Sequence, residues 1–233
     1  MASPAIVVVI PAYNEEMAIG KVLAAIPPDL VRQVIVVDNG STDATAATAR
    51  DMGARVLHEP RRGYGQACLS GLAALEEAEI VVFLDGDYSD FPEEMPALVQ
   101  PIASGEADLV IGSRTLGRSE KGALLPQQRF GNALATWLIH RLFGVSFTDL
   151  GPFRAIRRSA LEKLDMADRN FGWTVEMQVK AARAGLRCRE VPVRYRPRLG
   201  QSKVSGTLSG TLRAGYKILW TIFRYAISAE RYR

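Results

Sequence analysis

A run of five apolar residues that ends at two carboxylates constrains this chain more than any other stretch. Residues 80–84 read IVVFL without polar alternation, which is typical of a strand buried on both faces of a parallel sheet. Asp85 and Asp87 follow at its carboxyl end, where open α/β sheets bind ligands and where carboxylate oxygens can hold a hard cation. We interpret these two residues as a metal and sugar-nucleotide site. An acidic turn, which Asp and Gly favour for conformational reasons, is the alternative.

Four other short segments, at residues 5–10, 34–37, 55–58 and 108–112, are also predicted to be strands. The first three and the run at 80–84 are each followed by a loop and a helix-forming segment, and this alternation predicts a doubly wound, mainly parallel sheet flanked by helices. The strand ends at Pro11, Asp38 and Ser113-Arg114 are then expected to meet Asp85 at one edge of the sheet. Gly63 and Gly65 follow the third run, and they permit either the close approach of a ligand or a tight turn.

The length of 233 residues and the basic carboxyl end predict one catalytic domain at residues 1–203 and an appended helix at 204–233. Apolar residues recur in the appended segment at helical spacing among arginines and lysines, so we expect an amphipathic helix that contacts a membrane surface or forms a homodimer. The basic end implies an anionic partner. Nucleic acid is not expected, because no nucleic-acid module is recognisable.

Three further features bear on the compartment. Two cysteines are too few for a disulfide framework. Neither a signal peptide nor an apolar run of about 18 residues is visible. We therefore expect a cytoplasmic protein that is peripheral on the cytoplasmic membrane face.

Nine motifs together resemble the family 2 glycosyltransferases of the GT-A fold, and within them the dolichol-phosphate mannosyltransferase or polyprenyl-phosphate glycosyltransferase group. They are VVVIPAYNEE, VIVVDNGSTDAT, RRGYGQA, VVFLDGDYSDFPEE, VIGSR, QRFGNALA, DLGPFRAIRRSAL, WTVEMQVKAARAG and GQSKVS. The resemblance implies a GT-A type sheet and an inverting, metal-dependent hexosyltransferase that uses Mg²⁺ or Mn²⁺. The donor would be a nucleoside diphosphate sugar of the GDP-mannose or UDP-glucose type, and the acceptor a polyprenyl or dolichyl phosphate.

The resemblance also implies roles on the donor side. Asp85 and Asp87 match the DXD motif of the family, and Ser89 stands where some relatives place a further metal ligand. Asn39 replaces an acid that is common in the family, and an amide both donates and accepts hydrogen bonds, so this departure bears on the choice of base. The positions expected to bind the nucleotide are Pro11, Ala12, Tyr13, Glu15, Asp38, Asn39, Gly63, Gly65 and Asp85.

On the acceptor side, Arg114 and Arg129 resemble arginines that meet the acceptor phosphate. Arg198 and Lys203 resemble residues in or beside a loop that closes over the diphosphate. Asp149 and Glu176 are the acids expected to face the transferred sugar. For Glu176, which lies in a helical pattern, a structural ion pair is the alternative.

Two other functions fit part of the pattern. Transfer to a soluble or diacyl-lipid hydroxyl would keep the donor site but would need a carboxylate base, for which Asp149 is the candidate. A non-catalytic membrane-binding module would use the basic tail but would leave Asp85 and Asp87 unexplained.

Overall fold

The first strand, β1 (Ile6–Ala12), lies at the centre of the amino-terminal half of the sheet in the computed structural model, which describes residues 4–200 and 208–227. It pairs in parallel with β2 (Gln33–Asp38) on one side and with β4 (Ile80–Phe83) on the other, and β3 (Arg55–His58) pairs with β2. Helices α1 (Ile19–Ala25), α2 (Thr45–Asp51) and α3 (Tyr64–Ala73) connect these strands. The predicted parallel β/α arrangement is confirmed in this half.

The remaining strands make the sheet mixed. After a short 3₁₀ turn (Pro92–Glu94) and α4 (Met95–Ala103) come β5 (Leu109–Ser119), β6 (Arg154–Arg157) and β7 (Cys188–Tyr195). The strand order is β3-β2-β1-β4-β6-β5-β7, in which β6 runs antiparallel to both of its neighbours and β7 runs parallel to β5. A mostly parallel seven-stranded sheet results, as the predicted fold class requires.

The prediction for β5 was wrong in length. The strand continues to Ser119, with an irregularity between Ser113 and Arg118, because its ladder with β7 resumes at Arg118. Ser113 and Arg114 therefore lie within the strand and not at its end.

Alternating residues of the strands bury against helices on both faces of the sheet. Val7 and Val9 belong to one apolar cluster, and Ile6, Val8 and Ile10 belong to the other. Period-two alternation in β1 therefore supplies both layers of the core, which explains why no polar residue interrupts the run. This double burial fixes the register of the central strands and with it the position of their carboxyl ends.

Helices α5 (Pro126–Phe143), α6 (Arg158–Leu164) and α7 (Trp173–Arg183) are followed by α8 (Leu208–Ile227). Of the predicted carboxyl-terminal helix, residues 208–227 are described, and they are helical. The helix packs against α5 and α7 through the buried residues Thr221, Ile222 and Tyr225. Within the described ranges, no helix combines the length and the apolar character needed to cross a bilayer.

Candidate functional site

The loops after β1, β2 and β4 meet at one edge of the sheet, and side-chain hydrogen bonds tie the first two together. Asn14 N–H donates to Ser41 Oγ at 2.9 Å, and Thr42 N–H donates to Asn14 Oδ1 at 2.8 Å. Glu15 N–H donates to Thr45 Oγ1 at 2.7 Å. Asn14 and Tyr88 both have positive φ, at 52° and 63°, a conformation that costs non-glycine residues about 1 kcal/mol or more and that often marks functional loops.

Asp85 and Asp87 lie at this edge as predicted. Tyr64 donates its hydroxyl to Asp85 Oδ1 at 2.9 Å. Burial, together with the negative charge of Asp87, raises the pKa of Asp85 to about 6. Two neighbouring carboxylates supply negative charge and oxygen donors, which fits a hard cation such as Mg²⁺ or Mn²⁺.

Ser89 does not have the geometry expected of a metal ligand. Its hydroxyl and its backbone N–H both donate to Asp87 Oδ1, at 2.6 and 2.9 Å, and the residue is buried. Ser89 therefore orients the carboxylate of Asp87. Among the residues that the structure describes, no group of three or more His, Cys, Asp and Glu side chains could hold a metal, so a cation bound by Asp85 and Asp87 would take its other ligands from water or a bound anion.

Residues 195–199 lie along the turn that carries these acids. Tyr195 forms an isolated bridge with Asp90, Arg196 N–H donates to the Ser89 carbonyl at 3.0 Å, and Leu199 N–H donates to the Asp87 carbonyl at 3.0 Å. Arg198 forms an ion pair with Asp87 Oδ2. Arg198 was expected in or beside a loop that closes over the diphosphate, and its described contact is with the proposed metal ligand Asp87. Lys203 lies outside the described residues.

Asp90 is a third acid of this turn, and the sequence analysis missed it. Its side chain is buried, and neither carboxyl oxygen has a hydrogen-bond partner among the residues that the structure describes. Burial, with the charges of Asp85 and Asp87, raises the pKa of Asp90 well above its ordinary value. The position three residues after Asp87, at the same strand end, was the available signal.

Asp38 and Asn39 end β2 beside the loop that contains Pro11, Ala12 and Tyr13. Asp38 accepts Ser41 N–H at 2.9 Å and contacts His58 Nδ1 at 3.1 Å. Hydrogen bonds from Ser41 and the contact with His58 outweigh the effect of burial and lower the pKa of Asp38. The guanidinium of Arg62 lies 3.5 Å from the centre of the Tyr13 ring.

Asn39 uses its whole amide within the protein. Its Nδ2 donates to the carbonyls of Glu59 and Arg61 at 3.0 and 2.7 Å, and its Oδ1 accepts Gly63 N–H at 2.8 Å. A carboxylate could not donate either of the first two bonds. The amide at this position is therefore explained by the fold of residues 59–63, and these contacts give it no role in the choice of base.

Gly63 and Gly65 meet the protein's own backbone. Gly65 N–H donates to the Asn170 carbonyl, and Gln66 N–H donates to that of Arg169. A Cβ added at Gly63 or Gly65 would overlap the carbonyl oxygens of Arg169 and Asp168, respectively. The close approach that the two glycines permit is to residues 168–170, whereas the sequence had left a ligand and a tight turn as the two explanations.

Arg114 and Asp149 form a buried pair. Arg114 Nε and Nη2 donate to the two oxygens of Asp149 at 2.8 and 2.7 Å, and Arg114 N–H adds a third bond at 2.7 Å. Asp149 is 1% exposed. Two arginines were expected at an acceptor phosphate. Arg114 is fixed by its contacts with Asp149, and Arg129 is exposed on α5.

Side chains from four elements hold the loop that carries Asp149. Glu190 accepts the N–H groups of Thr148 and Asp149. Asn132 donates to the Thr148 carbonyl and accepts Leu150 N–H, both at 2.9 Å. Gln178 donates to the Asp149 carbonyl, while buried Arg154 donates to the carbonyls of Leu150, Gly151 and Thr174. Sequence reasoning missed these supporting roles, although Asn132 lies within the QRFGNALA motif.

Glu176 has no described contact with the Arg114–Asp149 pair. Its carboxylate accepts the N–H groups of Ala167 and Asp168, pairs with Lys180 at 3.0 Å, and accepts the Tyr225 hydroxyl at 2.7 Å. It is 1% exposed. The structure therefore supports the alternative of a buried structural ion pair that docks α8, and it gives no support to an acid facing a sugar.

Helices α5 and α8 leave large apolar side chains exposed. We call these six residues the α5–α8 surface: Phe130, Trp137, Tyr216, Trp220, Phe223 and Ile227. Arg213 and Arg224 are also exposed on α8, and the guanidinium of Arg224 lies 5.1 Å from the centre of the Trp220 ring. Exposed aromatic and cationic side chains thus occur together on α8.

Comparisons with known proteins agree with the geometry. A family model described as Glycosyl transferase family 2 matches residues 7–165. An uncharacterised glycosyltransferase of Mycobacterium tuberculosis is 42% identical over 214 residues, which cover 91% of this chain and 95% of the relative. A dolichyl-phosphate hexose transferase of Haloferax volcanii is 35% identical over 206 residues, which cover 87% of this chain and 88% of the relative.

A solved structure is also similar over nearly the whole chain. The crystal structure of glucosyl-3-phosphoglycerate synthase from Mycobacterium tuberculosis, in complex with Mn²⁺, UDP-glucose and phosphoglyceric acid, matches with a TM-score of 0.78 and 28% identity. The match covers 97% of this chain and 81% of that chain.

Proposed function

The chain belongs to glycosyl transferase family 2, and we propose that it moves a hexose from a nucleoside diphosphate sugar to a polyprenyl or dolichyl phosphate at a membrane surface. The donor half of this proposal is supported by the solved relative that was crystallised with Mn²⁺ and UDP-glucose. The acceptor half is supported by the dolichyl-phosphate hexose transferase, which matches along most of its length.

One observation carries the choice of acceptor. Asn132 lies on α5 and clamps both sides of the loop that bears Asp149, while Phe130 and Trp137 of the same helix are exposed. Helix α5 therefore both exposes aromatic side chains and supports the loop of the Arg114–Asp149 pair. Aromatic side chains interspersed with arginines suit the headgroup region of a bilayer. A lipid phosphate at that surface would meet Arg129 and then Arg114.

The chemistry proposed for the donor uses Asp85 and Asp87. These carboxylates would hold a divalent cation, which supplies positive charge for the departing diphosphate. Tyr64 and Ser89 fix the two carboxylates through their hydroxyls. The loops at Pro11, Tyr13, Glu15 and Asp38 would hold the nucleoside, and their cross-links prepare that shape in advance.

The chemistry proposed for the acceptor follows from the state of Asp149. Three hydrogen bonds from Arg114 commit its carboxylate, which makes it a poor general base. A phosphate acceptor needs no such base, because its oxygen is already ionised near neutral pH. That oxygen would attack the anomeric carbon as the bond to the diphosphate breaks, and the configuration would invert. Arg114 would orient the phosphate through a guanidinium fork.

A second acceptor class is favoured by the structural match. The solved relative is crystallised with phosphoglyceric acid, so transfer to a hydroxyl of a small soluble phosphorylated acid is the competing proposal. In that case Arg114 and Arg129 would still bind the acceptor phosphate, but a hydroxyl proton would have to be removed. Asp90, whose carboxyl has no hydrogen-bond partner among the described residues, would then be the candidate base that removes this proton.

The test measures release of nucleoside diphosphate and formation of product with a panel of GDP and UDP hexoses and Mg²⁺ or Mn²⁺. The acceptors are polyprenyl phosphate in vesicles, the matched polyprenol without phosphate, and 3-phosphoglycerate. We expect transfer to polyprenyl phosphate alone, abolished by Asp87→Asn and retained by the surface control Asp29→Asn. Transfer only to 3-phosphoglycerate would replace the lipid acceptor by the soluble one. Absence of turnover with every pair would contradict the proposed function itself.

A further inference from the structure

Every oxygen of Asp87 already has a partner within the protein. Oδ1 accepts the N–H and hydroxyl of Ser89, Oδ2 pairs with Arg198, and the carbonyl oxygen accepts Leu199 N–H. The side chain of Asp87 is 2% exposed, whereas that of Arg198 is 32% exposed. The guanidinium is therefore the partner of Asp87 that solvent can reach and that a ligand can displace.

Arg196 fastens the same segment at a second point that does not involve a carboxylate. Its guanidinium donates to the carbonyls of Tyr88 and Asp90 at 2.7 and 3.0 Å. It also lies 3.4 Å from the centre of the Tyr88 ring and 4.0 Å from that of Phe91. The backbone near residue 196 is thus attached to the acidic turn whatever the state of Asp87, and Arg198 lies two residues beyond that attachment.

A divalent cation and the Arg198 guanidinium need the same oxygen. If both were at Asp87 Oδ2 they would repel each other inside a buried site, where charges are poorly screened. The negative charge of Asp87 and of neighbouring Asp85 raises the pKa of Arg198, so the guanidinium stays charged and cannot yield by losing its proton. It can yield only by moving away from the carboxylate.

We infer that Arg198 is a built-in competitor of the divalent cation for Asp87, so that metal loading requires the guanidinium to leave Asp87 Oδ2. This inference rests on the proposed function, since it assumes the metal site at Asp85 and Asp87. A donor diphosphate offers the displaced guanidinium a new anion. Metal and nucleoside diphosphate should therefore bind with positive cooperativity, and Arg198 should be responsible for part of that coupling.

The experiment measures binding of Mn²⁺ alone, by electron paramagnetic resonance, to the full chain and to Arg198→Gln. It then repeats both titrations with UDP and with GDP. We expect Arg198→Gln to bind Mn²⁺ without nucleotide about tenfold more tightly, since a charge-assisted contact that opposes binding has been removed. We also expect nucleotide to enhance Mn²⁺ affinity less in this variant than in the natural protein.

Arg194→Gln is the matched control. It removes the same charge from the end of β7, four residues earlier, but Arg194 pairs with exposed Glu93 and half-buried Glu94, so Mn²⁺ affinity should change less than about twofold. Unchanged or weaker Mn²⁺ binding by Arg198→Gln would overturn the inference while leaving the metal site in place. Failure of the natural protein and both variants to bind Mn²⁺, even with nucleotide, would contradict the metal site of the proposed function and the competition together.

Discussion

Arg114 and Asp149, 35 residues apart in the chain, form a two-pronged pair in which both carboxylate oxygens accept guanidinium protons, and the N–H of Arg114 adds a third bond. Glu190 and Asn132 hold the loop beneath this pair. Asp149 therefore fixes the position of Arg114, and in the proposed function it is the Arg114 guanidinium that meets the acceptor.

Replacement of Asp149 by Asn should destabilise the protein and disorganise Arg114. Removing one partner of a buried pair costs about 3 kcal/mol of unfolding free energy, because the other charge is left uncompensated. The measurement is urea unfolding, alongside the Michaelis constant for acceptor. Asp108→Asn, which loosens the more exposed pair with Arg187, is the control and should cost about 0–1 kcal/mol. Equal losses for the two variants would contradict the assignment.

Asn39→Asp should lower stability without changing the preferred base. A carboxylate at this position would face the carbonyls of Glu59 and Arg61 with no proton to donate, a loss of about 2 kcal/mol for unsatisfied buried groups. Thermal unfolding measures the first effect, and the ratio of activities with GDP and UDP sugars measures the second. Gln100→Glu, on the exposed side of α4, controls for the added charge. A stable variant that switched base would show that Asn39 reads the donor.

Gly65→Ala and Gly131→Ala should change stability in opposite directions. A methyl group at Gly65 would overlap the Asp168 carbonyl, whereas nothing lies within 4 Å of the corresponding position at Gly131 in α5. We expect Gly65→Ala to lose more than about 2 kcal/mol by overpacking, and Gly131→Ala to gain about 0.5–1 kcal/mol by helix propensity. Denaturant unfolding of the pair measures both. Tolerance of alanine at 65 would show that residues 168–170 can move away.

Glu59 should make stability depend on acid. The hydrogen bond from Arg61, with that from Ser70, holds the pKa of Glu59 well below its usual 4.5. A carboxylate with a lowered pKa stabilises the fold fully above its unfolded value, and this contribution is lost as the pH falls below about 4.5. Urea unfolding at a series of pH values should therefore show a shallower acid decline for Glu59→Gln than for the natural protein. Parallel curves would rule out this contribution.

Trp220→Ser combined with Phe223→Ser should weaken binding to anionic vesicles about a hundredfold or more, since each buried aromatic side chain contributes roughly 1.5–3 kcal/mol. Flotation with phosphatidylglycerol vesicles measures the effect, and phosphatidylcholine vesicles test the role of charge. Leu116→Ser is the control, because this exposed residue lies on β5 and away from α8. If the double variant floats as well as the natural protein, the α5–α8 surface is not the membrane contact.

The strands and their polar ends could be predicted because each depends on a short stretch of sequence. Residues 80–84 are apolar without interruption, and the parallel order of β1, β2 and β4 brings Asp38 and Asp85 to one edge whatever the packing around them. Chain direction alone fixes which end of a strand carries the loop. The same reasoning misplaced Arg114, because nothing local to 108–112 indicates that the ladder with β7 resumes after an irregularity.

The partners of the polar side chains were settled by the tertiary structure. Arg198 meets Asp87 across 111 residues, Glu176 meets Tyr225 across 49, and the amide of Asn39 closes on residues 59–63. These contacts depend on how loops and helices from distant parts of the chain pack, and burial then requires that each polar group find a partner. The sequence by itself therefore determined the sheet and the acidic edge, because periodicity and chain polarity are local properties. Which acids remain available for a ligand was decided by long-range packing, which no local pattern contains.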